Sequence, residues 1–148
     1  MRSDTARLAD FMCFTVYSTN LAYSRVYRPV LEQLGLTYPQ YITIITLSEK
    51  DGQSIKSLSE KLFLEPSTIT PMVKRLEAMG YVTRTRDIHD ERSVLVSLTE
   101  EGRLLREKGL GFGAKTVAAS GLSADEFRML QKAIAKLRDN LITSAEQG

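Results

Sequence analysis

The sequence has few of the residues on which most protein chemistry draws: one cysteine, one histidine and no tryptophan in 148 residues. A single thiol excludes an internal disulfide framework and suits a reducing compartment. With one histidine, a zinc site or a serine- or cysteine-based triad is a poor expectation. No stretch approaches the roughly 18 uninterrupted apolar residues that span a bilayer. The N-terminus lacks the basic-then-apolar pattern of a signal peptide, so a soluble, cytoplasmic protein without a membrane partner is expected. Net charge is only +2, so contact with a polyanion must be argued from where the charge sits. No cofactor or metal is expected, because His89 has no partners at ligand spacing. The length suits one domain over residues 1–148.

Helix punctuation is plentiful. In "LTYPQY", Thr37 is placed to cap a helix, Gln40 completes a capping box, and Leu36 with Tyr41 has the spacing of a hydrophobic staple. The apolar residues Ile42, Ile44, Ile45 and Leu47 lead to "EKDG", where Gly52 is a stop signal. Ser54 opens a short helix with Ile55, Leu58 and Leu62 on one face. Pro66 then starts a helix that Gly80 ends. Within it Ile69, Met72, Val73, Leu76 and Met79 make one stripe to bury, leaving Ser67, Thr70, Pro71, Lys74, Arg75 and Ala78 outside. Pro71 suits a helix interior badly, so a later start or a bend is expected there.

After Gly80 the period changes to two. "YVTRTR" and "VLVSL" alternate on either side of the polar "DIHDERS", which predicts a two-stranded antiparallel hairpin with a charged tip. Thr99 caps a further helix, with Glu100 and Glu101 at the positive end of its dipole, and the glycines of "GLGFG" end or bend it near residue 110. Ser123 and Glu126 form a capping box for the last helix, with Leu122 and Phe127 as its staple. Its stripe of Leu130, Ile134, Leu137 and Leu141 could pack within one subunit or between two.

The order helix, turn, helix, glycine and arginine-bearing hairpin predicts a mainly α fold with a small β-hairpin wing, a winged helix-turn-helix. The second helix of such a unit enters the major groove. It needs short hydroxyls near base edges and cations within reach of phosphate or guanine. Ser67, Thr68, Thr70, Lys74 and Arg75 meet that need, and Arg84, Arg86 and Arg92 would serve the wing. Double-stranded DNA is the partner these residues point to. A lysine- or arginine-bearing helix face is commonly just solvated; the order of elements makes the difference.

The segment "LEPSTITPMVKRLEAMGYVTRTRDIHDERSVLVSLTEEG" resembles the winged helix-turn-helix of MarR-family transcription regulators. It carries their D-x-R…LT-x-x-G signature at Asp90, Arg92, Leu98, Thr99 and Gly102. The resemblance implies a homodimer on a pseudo-palindromic operator. Residues 37–102 would form the DNA-binding module, and 1–36 and 103–148 the dimerisation helices.

Cys13 lies in "LADFMCFTVYSTN", among Phe11, Met12, Phe14 and Val16, where a thiol commonly serves as core filling. If Asp10 caps the first helix, Cys13 is its third residue, where free N–H groups and the dipole favour thiolate. A start at Ser3 or Asp4 would remove that influence. Tyr17 shares the cysteine's face at i+4, and Tyr27 and Tyr38 are further phenols able to donate hydrogen bonds to sulfur or its oxide. "CFTVY…RVYRP…TYPQY" resembles the organic-hydroperoxide-sensing branch of the family. That likeness implies that Cys13 is the sensor, with Tyr17, Tyr27 and Tyr38 in its pocket. No second cysteine is present to resolve the sulfenic acid, so a small thiol, a sulfenamide or over-oxidation would follow. The resulting expectation is a repressor that leaves its operator when an organic hydroperoxide oxidises Cys13. The alternative is release by a phenolic or aromatic ligand, with Cys13 inert. A thiol peroxidase is disfavoured, since no arginine and hydroxyl residue surround Cys13 in a motif that would polarise a peroxide bond, and no enzymatic activity is expected.

Overall fold

A computed structural model describes residues 6–109 and 111–148. After a short 3-10 turn at Leu8–Asp10 the elements run α1 (Met12–Leu34), α2 (Tyr38–Glu49), β1 (Gln53–Ser54), α3 (Ile55–Leu62) and α4 (Pro66–Ala78). They continue as β2 (Val82–Arg86), β3 (Val94–Leu98), α5 (Glu100–Lys108), α6 (Gly111–Ala119) and α7 (Ala124–Gln147). The residues fall into two compact units, one of residues 27–110 and one that joins the chain up to Val26 with Gly111–Gly148.

The first of these, the winged unit, owns the core. Leu31, Leu36, Tyr41, Ile44, Leu47, Leu58, Ile69, Val73, Leu76, Val82, Val96 and Leu105 are all buried in it. The caps expected at Thr37, Ser54 and Thr99 form, each side-chain oxygen accepting an N–H of the first helical turn. Gly80, at φ +84°, lets α4 end in a Schellman turn: Tyr81 N–H bonds the Leu76 carbonyl and Gly80 N–H that of Glu77.

Four expectations need correction. The sheet has three strands in the order β1-β3-β2, not two, because Gln53 and Ser54 pair with Val96 and Leu95. Gln53, only 3% exposed, repays its burial with bonds to the Thr46 and Lys50 carbonyls, the Ser57 hydroxyl and Lys61. Met79 is not part of the buried stripe but 42% exposed, since it is the residue at which α4 ends. Of the two outcomes expected at Pro71, the later start does not occur: α4 is helical from Pro66 to Ala78 with Pro71 inside it. Asp10 does not cap α1: it closes the 3-10 turn, and its carboxylate accepts the Arg7 N–H. Ser3 and Asp4 lie outside the described residues. The glycines after α5 also open a separate helix, α6, which the sequence pattern did not separate from its neighbours.

The second unit is built differently. Its helices α6 and α7 and the N-terminal part of α1 carry no fully buried residue among those described. Three residues of the α7 stripe are exposed, Leu130 at 47%, Ile134 at 44% and Leu141 at 60%, and Leu137 is half-buried.

The D-x-R…LT-x-x-G signature has a structural cause. Thr99 caps α5, donates its hydroxyl to the Gly80 carbonyl and its N–H to that of Tyr81. Gly102 lies so close to the Tyr81 carbonyl that a Cβ there would sit 2.3 Å from the oxygen. Gly102→Ala should therefore cost about 1–3 kcal/mol, as overpacking does. Gly113→Ala, which meets nothing within 4 Å, should be neutral or slightly stabilising. Thermal unfolding of the two variants checks this; equal melting temperatures would contradict it.

Candidate nucleic-acid interface and redox site

The outer face of α4 is exposed by default once its other face is buried. Ile69, Met72, Val73 and Leu76 face the core, and Ser67, Thr68, Lys74 and Arg75 are exposed, with Thr70 half-buried. Pro71 lies on the exposed side, where its ring meets solvent rather than the core. Beside α4 runs an open groove of about 370 Å³, lined by Lys56, Thr70, Arg84, Asp90 and Arg92 among others. Lys56 was missed in the sequence; its place in the second position of the helix before the turn was the available signal.

The wing arginines differ in their commitments. Arg84 donates from Nη2 at 2.9 Å and Nε at 3.2 Å to Glu77 Oε1, tying β2 to α4. Arg86 is exposed on β2 opposite Val94, and no bond to the Arg86 or Arg92 guanidinium is found among the described residues. Asp90 acts inside the wing tip: its carboxylate accepts the Arg92 N–H, as Asp87 does that of His89. His89 is exposed, and no metal-binding cluster occurs among the described residues.

Cys13 is exposed and is the second residue of α1, so its N–H is one of those left free in a first helical turn. Tyr17 lies one turn on and is 61% exposed. These two belong to the second unit, and Tyr27 and Tyr38 to the winged unit. The structure brings Tyr27 and Tyr38 together, their rings stacked with centroids 4.7 Å apart and planes 14° from parallel. The capping box of Thr37 and Gln40 fixes the turn from which Tyr38 projects. Tyr41, counted in the sequence only as a staple, is buried and donates its hydroxyl to the Gly109 carbonyl at 3.1 Å. Burial raises its pKa, an effect that Arg106 opposes and Tyr38 reinforces.

A helix-turn-helix with a basic outer face, followed by an arginine-bearing hairpin whose sheet β1 completes, defines the class: a winged-helix regulator. The chain belongs to the MarR family of transcriptional regulators. Residues 25–108 match the family model described as transcriptional regulator SarA/Rot. The organic hydroperoxide resistance transcriptional regulator of Bacillus subtilis is 38% identical over 138 residues, covering 93% of this chain and 94% of its own. The fold is similar to that of reduced AbfR bound to DNA, at a TM-score of 0.76 and 32% identity over 96% of this chain and 99% of that one. It also resembles PcaV from Streptomyces coelicolor in complex with its natural ligand, at 0.82 and 27% over 91% and 96%.

The Glu77–Arg84 pair gives a pH test. Its hydrogen bond to Arg84 lowers the Glu77 pKa below the ordinary 4.5. A lowered folded-state pKa contributes stability above the unfolded value and loses it as pH falls through the folded one. Glu77→Gln should therefore be less stable than wild type at pH 7, and the gap should close as pH drops below about 4.5. Chemical unfolding at both ends of that range measures it; a gap that stays constant would show that the ion pair contributes nothing.

Proposed function

We propose that this protein is a DNA-binding repressor, homodimeric and cytoplasmic, that releases its operator when an organic hydroperoxide oxidises Cys13. The observation that carries the reading is the solvent-open Cys13 in the first turn of α1, with Tyr17 one turn on; the chain also offers the stacked phenols Tyr27 and Tyr38 in the winged unit. The Bacillus relative, named for organic hydroperoxide resistance, supports the same direction. A second copy of the chain is the occupant that suits the apolar α1 and α7 residues, since these would otherwise stay in water.

The chemistry balances without a second protein thiol. The Cys13 sulfur attacks the outer peroxide oxygen, the O–O bond breaks, and the alkoxide leaves as alcohol after taking a proton. The sulfenic acid then reacts with a small thiol, losing water and leaving a mixed disulfide. Either product would add polar bulk to an apolar surface that the second copy covers, which would shift the two reading helices from half-site spacing. Apolar neighbours such as Phe11, Met12 and Phe14 favour a peroxide with an alkyl or aryl group.

Operator contacts would come from Ser67, Thr68, Thr70, Lys74 and Arg75 on α4 and from Arg86 and Arg92 on the wing. Arg84 and Asp90 would act by holding the wing's shape. Arg92→Ala should weaken binding to all sequences alike and lower the salt slope by about one per subunit. Thr70→Ala should instead change base preference. Fluorescence anisotropy against a salt series separates the two; no affinity above non-specific levels for any genomic fragment would end this reading.

A second reading keeps the regulator but makes the signal a phenolic or aromatic ligand. An apolar pocket of about 250 Å³ between α1, α6 and α7, lined by Tyr23, Val26, Leu122 and Leu130, favours it. Cys13→Ser decides. The serine variant should bind operator like wild type yet stay bound under cumene hydroperoxide, and mass spectrometry of oxidised wild type should find a small-thiol adduct, a sulfenamide or a higher oxide on Cys13. Release from the serine variant would put the ligand reading first.

A further inference from the structure

The chain passes between the two units twice, at residues 26–27 and 110–111. Tyr27 is the first residue after one passage, and Gly109 stands just before the other. The opening turn of α2 holds both. Tyr38 stacks on Tyr27, and Tyr41, three residues on and therefore on the same side of the helix, donates to the Gly109 carbonyl. The contact is tight: a Cβ on Gly109 would lie 2.9 Å from the Tyr41 ring. The turn itself is fixed by the Thr37–Gln40 capping box, so Tyr38 and Tyr41 move as one body.

We propose that Tyr41 is a positioning residue that transmits the state of the Tyr27–Tyr38 pair to the end of α5, through its bond to Gly109. The proposal rests on the redox reading above and adds to it the route from the phenols to the chain leaving the winged unit. A shift of Tyr38 turns the first turn of α2, and Tyr41 cannot follow without releasing a buried carbonyl. A buried hydrogen bond is either made or lost, so the response is a switch between two arrangements and not a graded drift. Arg106, on the last turn of α5, is the charged group facing the phenol.

The test compares Tyr41→Phe, which keeps the ring and removes the hydroxyl, with Gly109→Ala, which disturbs the same contact from the other side. Three quantities are read on the full-length protein: operator affinity when reduced, the rate of Cys13 loss under cumene hydroperoxide, and the fraction of DNA released per oxidised thiol. Affinity and oxidation rate should match wild type, while release per oxidised thiol should fall about fivefold, as for one lost hydrogen bond. The double variant should fall no further than the singles, since both break one contact. Unchanged release per oxidised thiol in Tyr41→Phe, or a loss of operator affinity in its reduced form, would overturn the proposal. Wild-type protein that keeps its DNA after oxidation would instead overturn the redox reading itself, so the two failures are distinguishable.

Discussion

The full burial of one face of α4 is the constraint from which the proposed reading surface follows. Ile69, Val73 and Leu76 show no exposure at all, and Met72 very little. Each such side chain contributes about 1.5–3 kcal/mol when removed from water. Rotating the helix by one residue position would forfeit several of these at once, so Ser67, Thr68, Lys74 and Arg75 are held outward by their opposites. The wing is fixed to the same helix by three independent devices: the Schellman turn at Gly80, the Thr99 bonds to the Gly80 and Tyr81 carbonyls, and the Glu77–Arg84 pair. Helix and wing therefore present their cations as one rigid surface.

The two units divide the physical labour. The winged unit closes its own core, and even its buried polar side chain Gln53 is fully bonded. The other unit fully buries no described residue, and holds Met12, Tyr17 and Leu141 largely in solvent and Phe11 and Leu130 nearly half so. A helix with an unpaired apolar stripe is stable only when something covers it. The proposed sensor thiol thus lies in the unit whose apolar side chains are left uncovered among the described residues, and the proposed reading surface in the unit with a closed core.

Local signals in the sequence were legible and distant ones were not. The capping residues Thr37, Ser54, Thr99 and Ser123 were read correctly because each acts within three residues of itself. The D-x-R…LT-x-x-G pattern was legible as a pattern, but its cause, the approach of Gly102 to the Tyr81 carbonyl, joins residues far apart and needed coordinates. The same applies to β1, two residues long, which exists only because β3 offers it an edge. Asp10 misled because two helical turns of different kinds abut there, and an aspartate can serve the first while seeming to cap the second. Tyr27 and Tyr38 of the proposed redox set were named from the sequence alone; their stacking, and the bond from Tyr41 to the Gly109 carbonyl, needed the fold.

The choice of tyrosine around the proposed sensor has its own logic. Histidine is the side chain whose charge ordinarily changes near neutral pH, and a thiol surrounded by imidazoles would respond to acidity as well as to oxidant. This chain places its one histidine at the exposed wing tip, away from either cluster in sequence. A phenol donates a hydrogen bond without gaining or losing charge across the physiological range. Burial pushes Tyr41 further in that direction. A relay of phenols of the kind proposed would carry geometry and not charge, so it would answer to a change in bulk or bonding beside it and not to acidity. The specificity of the proposed signal for oxidation then follows from which ionisable groups were left out.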